Sequence, residues 1–267
     1  MQEVRFHLGE DIYNTAKQSG IPEFSTQKVG NTLVYSVSGL PPEVAFRYAR
    51  PGFEIVLEPV FAFTMYANEQ RGRRVKTVTL QLSSTASDAA PFESDAEHRL
   101  MQVFVEKIIN QFQGGNWRRY ADPEWHVMLT GRSSYLDEHG NISPRAKWSM
   151  DPHFQIPQED WPRIVKPGAY WRWVGEGILA TLSVEYAASG DARVSPYRIF
   201  LRFEILSEKL EHDAKELAKR LKDGDEKGWN STAKYEGSLR EARERNKRLV
   251  ENAVMRGDSV APPPEKH

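Results

Sequence analysis

Cysteine is absent from the 267 residues, which excludes disulfides, thiolate nucleophiles and thiolate-bound zinc. Net charge is almost absent as well. The chain carries 36 Lys and Arg against 37 Asp and Glu, a formal charge of -1, with no cationic surplus to neutralise a run of phosphates. Nucleic acid is therefore not an expected partner, and the local cluster Arg71, Arg73, Arg74 and Lys76 reads as a solvated turn with its flanking strand. No stretch approaches the roughly 18 apolar residues of a spanning helix, so no membrane span is expected. Met1 to Glu10 lacks the apolar region of a signal peptide. An export signal or anchor can stand outside this sequence, which leaves a periplasmic or a cytoplasmic location open.

What is present is enough to fold. Hydrophobic residues make up 39% and aromatics 11%, with seven Trp, sufficient for a real core. Alternation predicts strands at Thr32 to Ser38, Val75 to Leu82, Leu179 to Tyr186 and Tyr197 to Ile205, the last two joined around Ser189-Gly190-Asp191. Phe53 to Ala67 reads as a long buried strand interrupted at Pro59, and Glu43 to Tyr48 as a short helix or turn. Ser94-Asp95-Ala96-Glu97 has the form of a capping box opening a helix through Gln113. Its expected apolar face is Leu100, Val103, Phe104, Ile108 and Phe112, widened by Met101, Val105 and Ile109, before Gly114-Gly115 ends it. Ser207 starts a helix with Leu210, Ala214, Leu217 and Leu221 in register, closed by Asp223-Gly224, and Thr232 to Arg256 is a second helix laced with charge.

Strands then a helix, and strands then helices again, predict an α+β protein of two halves, each an antiparallel sheet with helix, plus a C-terminal helical extension. The expected units are residues 1–114, 115–224, a charged helical extension at 225–256 and a disordered tail at 257–267 containing Pro262-Pro263-Pro264.

Catalytic and cofactor patterns fail on context. Gly175-Glu176-Gly177-Ile178-Leu179-Ala180 matches a dinucleotide fingerprint, but a strand follows it where a helix is required, so a strand-entry turn is the better reading. Ser133 and Ser134 are one residue short of a nucleophile elbow, although His126, His139, His153, Asp137 and Asp151 are near in sequence. Asp137 to Asn141 reads as a tight turn. Glu208 and His212 stand one helical turn apart, more a surface contact than half of a metal site. Arg256-Gly257-Asp258-Ser259 spells an adhesion tetrapeptide too short to argue from. No metal, no cofactor and no catalytic residue are expected; a serine hydrolase using Ser133, or a structural subunit docking through its last helix, are the alternatives.

Trp117-Arg118-Arg119-Tyr120, Trp125, Trp148, Trp161 and Trp171-Arg172-Trp173 concentrate the residue types of binding hot spots. Core packing is the commoner reading of such residues. As a surface, Trp117, Arg118, Arg119, Tyr120, Trp171 and Trp173 are the expected partner-binding residues.

The runs Phe112 to Tyr120, Leu129 to Ser134, Gly175 to Ala180 and Lys227 to Tyr235 resemble proteins encoded beside antibacterial effectors of type VI secretion, especially lipase-associated adaptor and immunity proteins. The resemblance covers the second half of the chain. It implies a non-enzymatic protein that holds an effector, a phospholipase or other toxin, either to neutralise it or to load it on a secretion spike protein. Adaptors would meet the effector in the cytoplasm, whereas immunity to a lipase is most useful in the periplasm.

Overall fold

The computed structural model describes residues 3–83, 95–122, 127–143, 149–187 and 196–261. Ser94, Trp125, His126, Trp148, the Ser189 to Asp191 connection and Pro262 to Pro264, all singled out above, lie outside them. The chain begins with β1 (Glu3–Phe6) and α1 (Ile12–Gln18), whose first amides donate to the Asp11 carboxylate at 3.0 and 3.3 Å. The hairpin β2 (Ser25–Val29) and β3 (Thr32–Ser38) follows, β3 with the bounds that alternation predicts.

Glu43 to Tyr48 is not helical beyond a turn, since Ala45–Tyr48 is a strand, β4, that buries Phe46 and Tyr48 and runs parallel to β1 with Glu3 opposite Ala45. Four residues are too few to display a period, and the pairing partner lies 42 residues upstream in sequence. The long strand expected from Phe53 is two strands in two sheets, β5 (Ile55–Leu57) and β6 (Ala62–Asn68). Pro59, with no amide hydrogen for a ladder, sits where the chain changes sheets. β7 (Val75–Gln81) pairs back on β6 after a turn at Glu69–Arg71 in which Gly72 takes φ 76°.

The helix α2 (Asp95–Gly114) stops where the glycines predict. Its buried face, however, is His98, Gln102, Val105, Ile108, Ile109 and Phe112, while Leu100 and Val103 are 67% and 60% exposed. Leu100 is two residues from His98, hence about 200° around the axis. Helical spacing alone did not say which of two overlapping apolar stripes turns inward.

Next come β8 (Arg118–Arg119), α3 (Trp161–Val165) and the antiparallel series β9 (Ala169–Gly175), β10 (Ile178–Tyr186) and β11 (Tyr197–Ile205). Gly175-Glu176-Gly177 is a hairpin turn, with Glu176 and Gly177 at φ 45° and 76° and Gly175 opposite Ile178. The last third is a helical pair, α4 (Leu206–Glu226) and α5 (Ser231–Met255). Asp223-Gly224 does not close α4. Gly224 is buried inside it, where an added Cβ would stand 2.0 Å from Ser231 Oγ, and the chain turns instead at Gly228, φ 74°. Of the stripe expected on α4, Leu210 and Ala214 are exposed and Leu217 and Leu221 half-buried.

Strand order gives a mixed α+β architecture: a small sheet β1-β4-β5 and an eight-stranded sheet β2-β3-β6-β7-β11-β10-β9-β8. The strands of the two expected halves meet edge to edge where β7 pairs with β11, from Thr77 opposite Glu204 to Gln81 opposite Phe200. One apolar cluster extends from Val4 to Phe203. Its centre is aromatic: Tyr48 stacks on Phe203 at 4.9 Å and Phe112 on Trp173 at 4.0 Å, with interplanar angles of 12° and 7°. The inner face of the large sheet thus carries α2 and the small sheet, while the outer face is polar and carries α4.

Two glycines in opposite situations test this packing. Gly175→Ala puts a methyl 2.4 Å from the Phe53 ring and 3.0 Å from Trp117, and a loss of about 1–3 kcal/mol is expected. Gly237→Ala in α5 meets nothing closer than Arg240 at 3.9 Å, and a gain of about 0.5–1 kcal/mol is expected. Urea denaturation of both variants checks the pair, and a neutral Gly175→Ala would refute the contact.

Candidate functional site

The residues that the sequence offers as a binding surface are placed mostly inside. Trp117 is 7% exposed, its indole N–H donates to Phe53 O at 3.2 Å, and its ring meets Phe53 and Phe112 at 5.3 and 5.2 Å. Trp171 and Trp173 share the core face of β9. Tyr120 is buried in a separate small cluster with Val174, Leu179 and Leu206, where burial raises its phenol pKa. Arg119 ties two loops together by donating to the carbonyls of Leu129, at 2.8 Å, and Ser149; burial pulls its pKa down to about 10. Arg118 is exposed. In this arrangement the four rings pack, and the two arginines differ in role.

Ser133 is fully buried. Its hydroxyl accepts from Arg256 Nε at 3.0 Å, and its amide donates to Asp258 Oδ2 at 3.0 Å. The Gly131 amide donates to Asp151 Oδ2 at 2.7 Å, and a Cβ on Gly131 would stand 2.3 Å from Asp258 Oδ1. The Thr130 and Ser259 hydroxyls are 2.8 Å apart, and Leu129 forms a β-bridge with Val260. The stretch Leu129 to Ser134 is therefore the seat for Arg256 to Val260, which takes in the Arg256-Gly257-Asp258-Ser259 tetrapeptide and the start of the tail expected to be disordered. Below it Leu249 and Ala253 of α5 pack on Leu129. The Asp137 turn forms as expected, its carboxylate accepting from the amides of His139 and Asn141 at 2.9 and 2.8 Å.

A groove of about 850 Å³ opens between the outer face of the large sheet and α4. Alternation makes its floor. Since every second residue of each strand points outward, strand pairing lines up Thr64 (β6), Thr79 (β7), Arg202 (β11), Thr181 (β10) and Arg172 (β9) as successive cross-strand partners. Thr79 Oγ1 is buried with no hydrogen-bond partner among the described residues. Burial lowers the pKa of the Arg172 guanidinium, against the field of Glu204.

The wall is α4, contributing Glu208, Lys209, His212, Asp213 and Lys215. It is fastened at its start, where Leu206 is buried on Val174 and Leu179 and its amide donates to Gly177 O at 2.8 Å. One turn on, Arg71 donates both Nη groups to the Glu211 carboxylate at 3.1 and 3.0 Å, and Lys215 joins them. These hydrogen bonds, Arg71 first, hold the Glu211 carboxyl down at about 2. Periodicity could have revealed the outward Thr and Arg positions strand by strand; only the pairing order brings them into one row.

Removing a stacked ring should be far more damaging than removing the exposed guanidinium. Trp173→Ala is expected to lose about 3–5 kcal/mol in urea denaturation, and Arg118→Ala less than about 1 kcal/mol. The Glu211 tether makes a pH prediction. Because its pKa falls from the ordinary 4.5 to about 2 on folding, its stabilisation is complete above the ordinary value and is lost as pH drops toward the lowered one. The melting temperature of wild type should exceed that of Glu211→Gln near neutral pH and converge with it in strong acid; a constant gap refutes the tether.

Compared with protein-family models, with curated proteins and with solved structures, the chain has no match in any of the three.

Proposed function

We propose that this protein is a non-enzymatic holder of a type VI secretion effector, a lipase in first place, acting as its adaptor for the secretion spike or as its immunity protein. The observation that carries this reading is the groove under α4. Its floor is five hydrogen-bonded strands and its wall is fastened at Leu206 and Glu211. A surface held this way loses little conformational entropy on docking, which is what tight protein recognition needs. The resemblance of Phe112 to Tyr120, Leu129 to Ser134, Gly175 to Ala180 and Lys227 to Tyr235 supplies the class of partner.

The hydrolase alternative would need Ser133 as nucleophile, and its buried hydroxyl faces Arg256 rather than a base. That geometry favours the holding role. The test is calorimetry of the purified protein with the effector encoded beside it. A one-to-one complex with a dissociation constant below about 1 μM is expected; no heat and no co-elution at tens of micromolar would overturn the proposal. Loss of lipase activity in the complex would assign immunity, and co-purification of effector with spike only in its presence would assign the adaptor.

A further inference from the structure

We infer that the groove takes an extended, acidic segment of the partner protein, lying across the strands along the row Thr64, Thr79, Arg202, Thr181 and Arg172. This rests on the holding role and names what is held. The row crosses four strand spacings, about 19 Å at ~4.8 Å each, which matches about six residues of extended chain at ~3.3 Å. Its chemistry selects carboxylates. Guanidinium forks donate two parallel hydrogen bonds to a carboxylate, and threonine hydroxyls between them serve the backbone or a third oxygen.

Arg202 is exposed and has neither a side-chain hydrogen bond nor an ion pair among the described residues, so its guanidinium is open to a carboxylate. Of the six cations around the groove, Arg71 and Lys215 are engaged by Glu211 and Lys209 by Asp213, so the positive surplus rests on Lys76, Arg172 and Arg202 against Glu204 and Glu208. Those carboxylates argue against a nucleic-acid backbone, whose phosphates would meet them at every turn, as does the balanced charge of the whole chain. A peptide can place its acids opposite the arginines and its neutral residues opposite Glu204 and Asp213. Phe200 and Tyr170, in the same lining, offer flat apolar contacts for those neutral residues.

The experiment uses the full chain, Arg202→Glu, and Lys17→Glu as a control of equal charge change on α1, an exposed position. Each is titrated with the neighbouring effector, with an alternating Glu-Ser heptapeptide, with its Lys-Ser counterpart and with inorganic phosphate, after thermal melts establish that all three proteins are folded. The Glu-Ser peptide should bind wild type and Lys17→Glu alike, more weakly as salt rises, and Lys-Ser should not bind. Arg202→Glu should lose the peptide and weaken the effector by about tenfold or more. Effector binding that is equally tight in Arg202→Glu would overturn the groove assignment while leaving the holding role intact. If the effector fails to bind wild type but the peptide arm behaves as expected, the holding role for that effector falls and the acidic ligand stands. No peptide binding, or phosphate binding as tight as the peptide's, overturns the inference.

Discussion

The ladder between β7 and β11 joins two stretches of chain that are far apart in sequence. It sets Val78 beside Phe203 and Leu80 beside Leu201 on the inner face, and Thr79 beside Arg202 on the outer one. Both the continuity of the core and the continuity of the groove floor pass through this seam. A slip of one residue would exchange the two faces, turning Thr77 and Thr79 into the aromatic core and Val78 and Leu80 out to the groove. The stacked rings of Tyr48, Phe203, Phe112 and Trp173 penalise such a slip heavily, so packing on one side of the sheet fixes the chemistry on the other.

The helical pair is held differently. Apart from Leu206 and Gly224, α4 buries none of its residues, and α5 is buried at Ala242, Leu249 and Ala253. Its attachments are discrete: the start of α4 on Val174 and Leu179, the carboxylate of Glu211 on Arg71, and the seat of Arg256 to Val260 on Leu129 to Ser134. The pair thus rests on few buried contacts, with the groove wall pinned at Leu206 and Glu211.

Much of the fold was legible in the residues. β3, β7, β10 and β11 stand where alternation puts them, and α2 and α5 within a residue or two of their predicted bounds. What escaped were features defined by a partner. β1 and β4 are four residues each and exist because they pair. Ile108 and Phe112 of the expected face of α2 are buried, yet Leu100 and Val103 are not, and the core covers Val105, Ile109, His98 and Gln102 in their place. The site followed the same rule. Trp117, Trp171 and Trp173 announce themselves by composition and are packed away, whereas Thr79 and Thr181 are unremarkable in sequence and become neighbours of Arg202 only through register. Asp258 likewise has no signal until Gly131 is beneath it.

Strands in a sheet are not parallel sticks. Each is rotated against the next by roughly 20–25° in a fixed hand, so the row from Thr64 to Arg172 winds by roughly 80–100° over its four steps. Its hydroxyls and guanidiniums therefore lie on a shallow screw rather than on a straight line. A stiff rod such as a helix could touch only part of that screw, while a pliant chain can follow it from end to end. Handedness in the backbone becomes, at the surface, a filter on the stiffness of whatever lies there.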